Sequence, residues 1–121
     1  MPLRMTMEPQ EWLMIGDTKV TNIYRGPATF LVDGSGPVLR QAHTLEPQNA
    51  DTPIKRVYLA VQRLYLGMTD QISEYQQAAS DLLVDAPAAK EVIAKANLQM
   101  AKGSVYGALR EYRKLLDSQP V

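Results

Sequence analysis

The chain has 121 residues, with 13 basic side chains balanced by 13 acidic ones, one histidine and no cysteine. This length fits one domain or two small ones, and no apolar run reaches the roughly 18 residues that a membrane-spanning helix needs. The missing cysteines exclude disulfides and thiolate zinc sites, and a single histidine excludes a two-histidine metal site. No signal peptide is visible at the N-terminus. The composition therefore predicts a cytoplasmic protein that is not an enzyme and binds no metal or other cofactor.

Proline and glycine are concentrated in residues 1–50, which also contain short apolar and β-branched runs. Leu3, Met5 and Met7 alternate with polar residues, the two-residue period of a half-buried strand. Gly16-Asp17 is typical of a tight turn between strands. The pattern predicts an antiparallel meander or small barrel-like sheet of five strands, at residues 3–7, 12–15, 19–24, 28–32 and 37–41.

Residues 51–121 have few internal glycines and show the 3.6-residue apolar period of amphipathic helices. Asp51-Thr52-Pro53 places a capping side chain before a proline suited to a first helical turn, and Ser104 is suited to cap the last helix. The predicted fold class is thus α+β, with a β-rich domain over residues 1–48 and a bundle of about four helices over 49–121. The predicted helices run over residues 53–66, about 70–86, 87–102 and 105–116.

One stretch of the first domain resembles the CsrA family of small RNA-binding translational regulators. Glu11-Trp12-Leu13-Met14-Ile15-Gly16-Asp17 is similar to the "GE-x-LMIGD" segment of that family, and Gly36-Pro37-Val38-Leu39-Arg40 is similar to its last strand. The resemblance implies a CsrA-like five-stranded sheet and an RNA contact by Arg40. The family's first-strand arginine falls on Met7 here, while Arg4 lies on the opposite face of a regular strand.

Over its whole length, the chain resembles the FlbT family of bacterial flagellum-biogenesis regulators. The stretches that carry this likeness are Met1-Pro2-Leu3, Ile15-Gly16, Pro37-Val38-Leu39-Arg40, Asp51-Thr52-Pro53, Lys55-Arg56-Val57-Tyr58, Val61-Gln62 through Tyr65, Gly103, Tyr106, Ala108-Leu109 and Leu115. The resemblance implies a post-transcriptional repressor that associates with the 5′ untranslated region of flagellin mRNA and promotes its degradation. Regulation of the opposite sign is the open alternative. The implied partner is the flagellin mRNA leader.

An RNA-binding surface here needs local positive charge, because neither half of the chain is basic overall. Arg56 and Arg63 are seven residues apart and share a helix face. Tyr106, Arg110 and Arg113 recur at i, i+4 and i+7, where an aromatic ring beside two guanidinium groups can stack a base and hold phosphate. Solvated faces with ordinary helix ion pairs are the alternative for both stripes. The candidate RNA-binding residues are Arg4, Arg40, Arg56, Arg63, Tyr106, Arg110 and Arg113.

A second hypothesis is a protein-binding adaptor or chaperone-like module in flagellar assembly that acts through partner proteins without direct RNA recognition. The neutral charge, the methionines at positions 1, 5, 7 and 14 and the short amphipathic helices favour it, with helix-in-groove binding as the expected mode. Flagellin or another flagellar regulator is then the candidate partner, and no membrane is expected. The edges of five short strands favour a homodimer, unless the helices cover them.

Overall fold

Five strands and then four helices follow one another along the chain, so the predicted α+β organisation is confirmed. The computed structural model describes residues 2–119. The chain divides into two units, Met1–Thr44 and Leu45–Val121, which we call the strand unit and the helical unit. No helix within residues 2–119 is long and apolar enough to cross a membrane.

The five antiparallel strands of the strand unit are shared between two sheets. One sheet pairs β1 with β4, and in the other β2 lies between β3 and β5. The chain turns after β1, where the N–H of Glu11 donates to the carbonyl of Glu8 at 3.1 Å and Gln10 has a φ of 68°. Because of this turn, β2 leaves β1 and pairs with β3 instead. The strands are β1 (Leu3–Met7), β2 (Trp12–Ile15), β3 (Thr18–Thr21), β4 (Ala28–Val32) and β5 (Val38–Arg40).

A buried asparagine ends β3 earlier than the predicted range of 19–24. The Asn22 side-chain nitrogen donates to the carbonyls of Met7 at 2.9 Å and Gly26 at 3.1 Å, and its oxygen accepts from the N–H of Tyr24 at 3.0 Å. The bonds to Gly26 and Tyr24 are local, compete with a regular strand ladder and turn the backbone. The extra strand length predicted from apolar residues is therefore lost to a side-chain-directed turn.

Both sheets contribute to one core in the strand unit. Met5 and Met7 of β1 and Leu13 of β2 are each 2% exposed and contact one another in this core. The alternation of β1 leaves Arg4 and Thr6 on its outer face, where Thr6 bonds to a threonine of β4. The two-residue period seen in the sequence thus separates the methionine core from the solvent side. Four partly buried residues complete the core: Ile15, Val20, Val32 and Val38.

In the helical unit, two antiparallel helices form the centre and two others flank them. Helix α1 packs against α4, while α2 packs on α1 and α3 packs on α4. A 3₁₀ turn at Pro87–Ala89 joins α2 to α3. The helices are α1 (Pro53–Tyr65), α2 (Ser73–Asp85), α3 (Lys90–Ala101) and α4 (Val105–Asp117).

Local sequence signals set the ends of three helices as predicted. The Thr52 hydroxyl accepts from the N–H of Lys55 at 3.3 Å at the start of α1, and the Ser104 hydroxyl accepts from the N–H of Gly107 at 3.0 Å at the start of α4. Gly103 follows α3 with a φ of 84°, a conformation that glycine adopts without steric cost. These caps satisfy backbone groups that a helix end leaves without intrahelical partners.

Helix α2 begins three residues later than predicted. The hydroxyl of Thr69 accepts from the N–H of Gln71 at 3.1 Å, so the segment from Asp70 forms a side-chain-stabilised turn before Ser73 opens the helix. Threonine hydroxyls commonly compete with helix formation in this way. The apolar period in the sequence therefore begins before the first residue of the helix.

A chain of hydroxyl and amide bonds joins three helices inside the bundle. The fully buried Tyr112 of α4 has its hydroxyl 2.7 Å from that of Tyr75 in α2, and Tyr75 in turn donates to the side-chain oxygen of Asn97 in α3 at 2.6 Å. A hydroxyl has one proton to give, so Tyr112 donates to Tyr75. Burial raises the pKa of both tyrosines, and for Tyr112 the bond to Tyr75 raises the pKa further.

A buried glutamine holds the entry to the helical unit. Gln62 on α1 is 4% exposed, its side-chain oxygen accepts from the N–H of Leu45 at 2.7 Å, and its nitrogen donates to the carbonyl of Leu45 at 2.9 Å. One amide side chain therefore satisfies both backbone groups of a residue that has no strand or helix partner. Loss of such a side chain leaves two backbone polar groups without partners.

We expect Gln62→Leu to lower the free energy of unfolding by about 2–3 kcal/mol, because both polar groups of Leu45 lose their partner. Urea denaturation followed by circular dichroism measures the loss. Gln77→Leu is the matched control: Gln77 is an exposed glutamine that bonds to exposed Asp81, so its replacement should change stability by less than about 0.5 kcal/mol. Equal losses for the two variants would contradict a special role of Gln62.

Alkaline pH should destabilise the fold through its buried tyrosines. A tyrosine in the unfolded chain titrates near pH 10, whereas burial holds the pKa of folded Tyr112 higher. Above about pH 10 the unfolded state therefore binds fewer protons than the folded state, and stability falls as pH rises.

The variant Tyr112→Phe isolates this effect. We expect it to lose about 1 kcal/mol at neutral pH with its hydrogen bond. Above pH 10 its stability should fall less steeply than that of the wild type, by about 1.4 kcal/mol per pH unit. Urea denaturation at constant ionic strength between about pH 9 and 11 measures both slopes. Identical slopes would show that Tyr112 does not resist ionisation in the fold.

Candidate nucleic-acid interface

The two candidate arginines of the strand unit lie on different sheets. Arg4 is exposed on β1, opposite Leu31 of β4, on the face turned away from Met5. Arg40 is exposed at the end of β5, opposite the core residue Leu13 and therefore on the core-side face of its own sheet. Both guanidinium groups are accessible to phosphate. The strand register does not join them into one cationic row.

Arg56 and Arg63, the first helical stripe, lie on α1 beside acidic residues of α2. The Nε atom of Arg63 lies 3.5 Å from a carboxylate oxygen of Glu74. Arg56 is exposed and borders a hollow of about 310 Å³ that Glu74 and Asp81 also line. A half-exposed ion pair adds little stability, but two carboxylates beside two arginines lower the positive potential that RNA would meet.

The second helical stripe is partly used by contacts between α1 and α4. The rings of Tyr106 and Tyr65 are 5.3 Å apart between centroids and tilted by 44°. The Nε atom of Arg113 donates to the hydroxyl of Tyr58 at 3.3 Å. Tyr106 and Arg113 therefore face the neighbouring helix, and each is only partly available to a ligand.

The surroundings of Arg113 keep it charged and enclosed. Burial lowers the pKa of its guanidinium, but hydrogen bonds with Tyr58 and Tyr106 more than offset this and leave the pKa above its usual value. Its Nη2 atom is buried and forms no hydrogen bond with any part of residues 2–119. Burial dominates for Tyr58, whose pKa is raised. The arginine thus acts as a packed link between two helices.

Arg110 is the member of this stripe that points to solvent. It is exposed on α4, and within residues 2–119 it takes part in no ion pair. The neighbouring Lys114 pairs with Glu111 at 3.6 Å. Of the seven candidates, the structure leaves four arginines exposed on their elements: Arg4, Arg40, Arg56 and Arg110.

Sequence reasoning missed an aromatic and cationic pair on the strand unit. The Nζ atom of Lys19 lies 4.3 Å from the ring centroid of half-buried Trp12. Lys19 is opposite Met14 in the β2–β3 ladder, which makes Trp12 its diagonal neighbour on the sheet. The two-residue turn Gly16-Asp17 joins β2 to β3 and sets which of their residues lie opposite one another, so it is the sequence signal from which this pair could have been predicted. An aromatic ring held beside a cation is a typical feature of single-strand binding surfaces.

Within residues 2–119 no three histidine, aspartate or glutamate side chains come together as a metal site. His43 is exposed in the 3₁₀ turn that follows β5.

Comparison with known proteins identifies the family. The family model described as "Flagellar protein FlbT" matches residues 3–119. Proteins named "Probable flagellum biosynthesis repressor protein FlbT" from two strains of Rhodopseudomonas palustris are each 38% identical over 120 residues, which is 96% of this chain and 93% of theirs.

A further relative, "Probable flagellum biosynthesis repressor protein FlbT 1" of Bradyrhizobium diazoefficiens, is 34% identical over 119 residues, covering 96% of this chain and 81% of its own. No solved structure matches the chain. The family model covers both the strand unit and the helical unit, and the identity extends over nearly the full length. This chain therefore belongs to the FlbT family of flagellar proteins.

Proposed function

We propose that this protein represses flagellin synthesis after transcription, by associating with the 5′ untranslated region of flagellin mRNA and promoting its degradation. The observation that carries the proposal is the end-to-end match to relatives that are named as repressors of flagellum biosynthesis. The likeness of Glu11–Asp17 to a segment of the CsrA family supports RNA as the target. The chain contributes binding, and a cellular nuclease cleaves the RNA.

The exposed cations support a small number of phosphate contacts. Arg110 on α4 has no competing carboxylate partner among residues 2–119, and Arg4 and Arg40 are exposed on the strand unit. The Lys19–Trp12 pair adds a ring beside a positive charge. With a net charge of zero the protein has no strong general field for polyanions, so selectivity must come from these local groups.

We expect the purified full-length protein to bind a flagellin leader RNA more tightly than a scrambled RNA of equal length, at physiological salt. The logarithm of the binding constant should fall with the logarithm of salt concentration by about 0.7 for each phosphate contacted. Fluorescence anisotropy at several salt concentrations measures both quantities. Equal binding of the two RNAs, or no binding at physiological salt, would overturn direct recognition by this chain.

Two variants of α4 should distinguish an arginine that contacts RNA from one that packs against the neighbouring helix. Arg110→Ala should weaken leader binding about tenfold and reduce the salt slope by about 0.7, since it removes an exposed phosphate contact. Arg113→Met should lower the melting temperature and leave the affinity of the folded protein unchanged, because Arg113 links α4 to Tyr58.

Lys95→Ala is the control, since Lys95 is exposed on α3 and belongs to neither helical stripe. It should change neither RNA affinity nor melting temperature. If Arg113→Met weakened RNA binding as much as Arg110→Ala without any loss of stability, the assignment of the two arginines would be wrong.

A further inference from the structure

The two outer helices of the bundle leave a groove between them. Helices α2 and α3 pack on different central helices, and the space between them is a groove of about 560 Å³. Ile72 and Leu83 on the α2 side are 49% and 41% exposed. Ile93 and Met100 line the α3 side. Apolar side chains placed along a groove and left in water mark a binding surface.

The groove carries no charge. Its lining residues are apolar, hydroxyl or amide side chains, and the acidic residues Glu74 and Asp81 of α2 lie on the other side of that helix, with Arg56. A surface for RNA or for anionic lipid headgroups needs cations, and this groove has none. A charged peptide face would lose its hydration here without finding an opposite charge. The complementary ligand is therefore uncharged where it makes contact.

A fixed amide supplies a directional contact in this uncharged surface. The side-chain oxygen of Asn97 accepts from the hydroxyl of Tyr75 at 2.6 Å, and Tyr75 is fixed in turn by Tyr112. This bond orients the Asn97 amide so that its nitrogen remains a donor. That nitrogen forms no hydrogen bond within residues 2–119, and Asn97 is exposed in the groove lining. A ligand with an amide or hydroxyl oxygen can satisfy it.

The shape of the groove suits a helix. Its walls are two helices of 13 and 12 residues, about 18–20 Å long. Small side chains at Ala79, Ser80 and Ala101 line it and let another backbone approach closely. Helix walls present no free strand edge, so an extended peptide would gain no backbone pairing. An amphipathic helix instead fills such a groove with side chains at i, i+3, i+4 and i+7.

We propose that the groove between α2 and α3 binds an amphipathic helix of a protein partner, whose contacting face is uncharged and carries an amide or hydroxyl oxygen for Asn97. This binding goes beyond the RNA function and does not depend on it, because the groove shares no residue with the exposed arginines. Its apolar contacts should hardly respond to salt, in contrast to phosphate contacts.

Two adjacent glutamines of α2 allow a matched test with a photo-reactive residue. Gln76 lines the groove, whereas Gln77 bonds to Asp81 and lies on the other side of the helix. We would place p-benzoylphenylalanine at either position of the full-length protein in its native bacterium and map the crosslinked segment by mass spectrometry. The probe at Gln76 should crosslink one protein, in a helical segment with an uncharged face, with at least tenfold higher yield than the probe at Gln77.

Variants at one groove residue keep the test decisive. Ser80→Arg, added to the Gln76 probe, should lower the yield at least tenfold by filling the groove with a charged side chain, and Ser80→Ala should preserve it. Circular dichroism and melting curves confirm that each variant folds, and leader RNA binding by Ser80→Arg should be unchanged. Crosslinks to RNA, to a second copy or to a charged segment, equal yields at the two positions, or no crosslink at all would overturn the proposal.

Discussion

The antiparallel packing of α1 against α4 is the constraint on which the helical unit depends. Val57 and Val61 of α1 and Ala108 and Leu109 of α4 are fully buried, and full burial of a side chain such as Leu109 contributes about 1.5–3 kcal/mol. The pairing brings Tyr58 beside Arg113, so this arginine of the second stripe forms a hydrogen bond between the two helices. It also leaves α2 and α3 on separate partners, and the space between them is a consequence of that arrangement.

Some of the basic residues of the helical unit are paired with acidic residues, and others are not. Arg63 meets Glu74 and Lys114 meets Glu111, so the basic positions that look alike along the sequence differ in what they can offer a ligand. Arg110 is exposed on α4 and forms no ion pair within residues 2–119. With a net charge of zero, the proposed RNA binding would rest on few cations, so nonspecific attraction to RNA would be weak.

Features that depend on nearby residues were predictable from the sequence. The capping roles of Thr52 and Ser104 and the alternation of Met5 and Met7 follow from neighbours a few positions away. The division into two sheets was not predictable, because it depends on which strands pair across the fold, and the early end of β3 depends on a bond from Asn22 to the carbonyl of Met7, 15 residues away in the chain. Five short strands and four helices were thus visible, whereas the way in which strands choose their partners was not.

The candidate site shows the same limit. Spacing identified the stripe of Tyr106, Arg110 and Arg113, but a helical period alone does not tell which edge of a stripe meets a neighbouring helix. The structure turns Arg113 towards α1 and Arg110 away from it. The Lys19–Trp12 contact required the ladder register, and the uncharged groove required knowledge of which helices pack together.

The methionine core of the strand unit has a chemical consequence. Oxidation converts a methionine thioether into a polar sulfoxide that a tightly packed apolar site does not accommodate. Met5 and Met7 are shielded from solvent, whereas Met68 in the helical unit is 42% exposed. An oxidant would therefore modify Met68 in the intact fold but reach Met5 and Met7 only when the strand unit opens. The rate of sulfoxide formation at Met5 and Met7 therefore reports how often the strand unit opens. Each oxidised methionine then carries a polar sulfoxide that the apolar core does not accommodate.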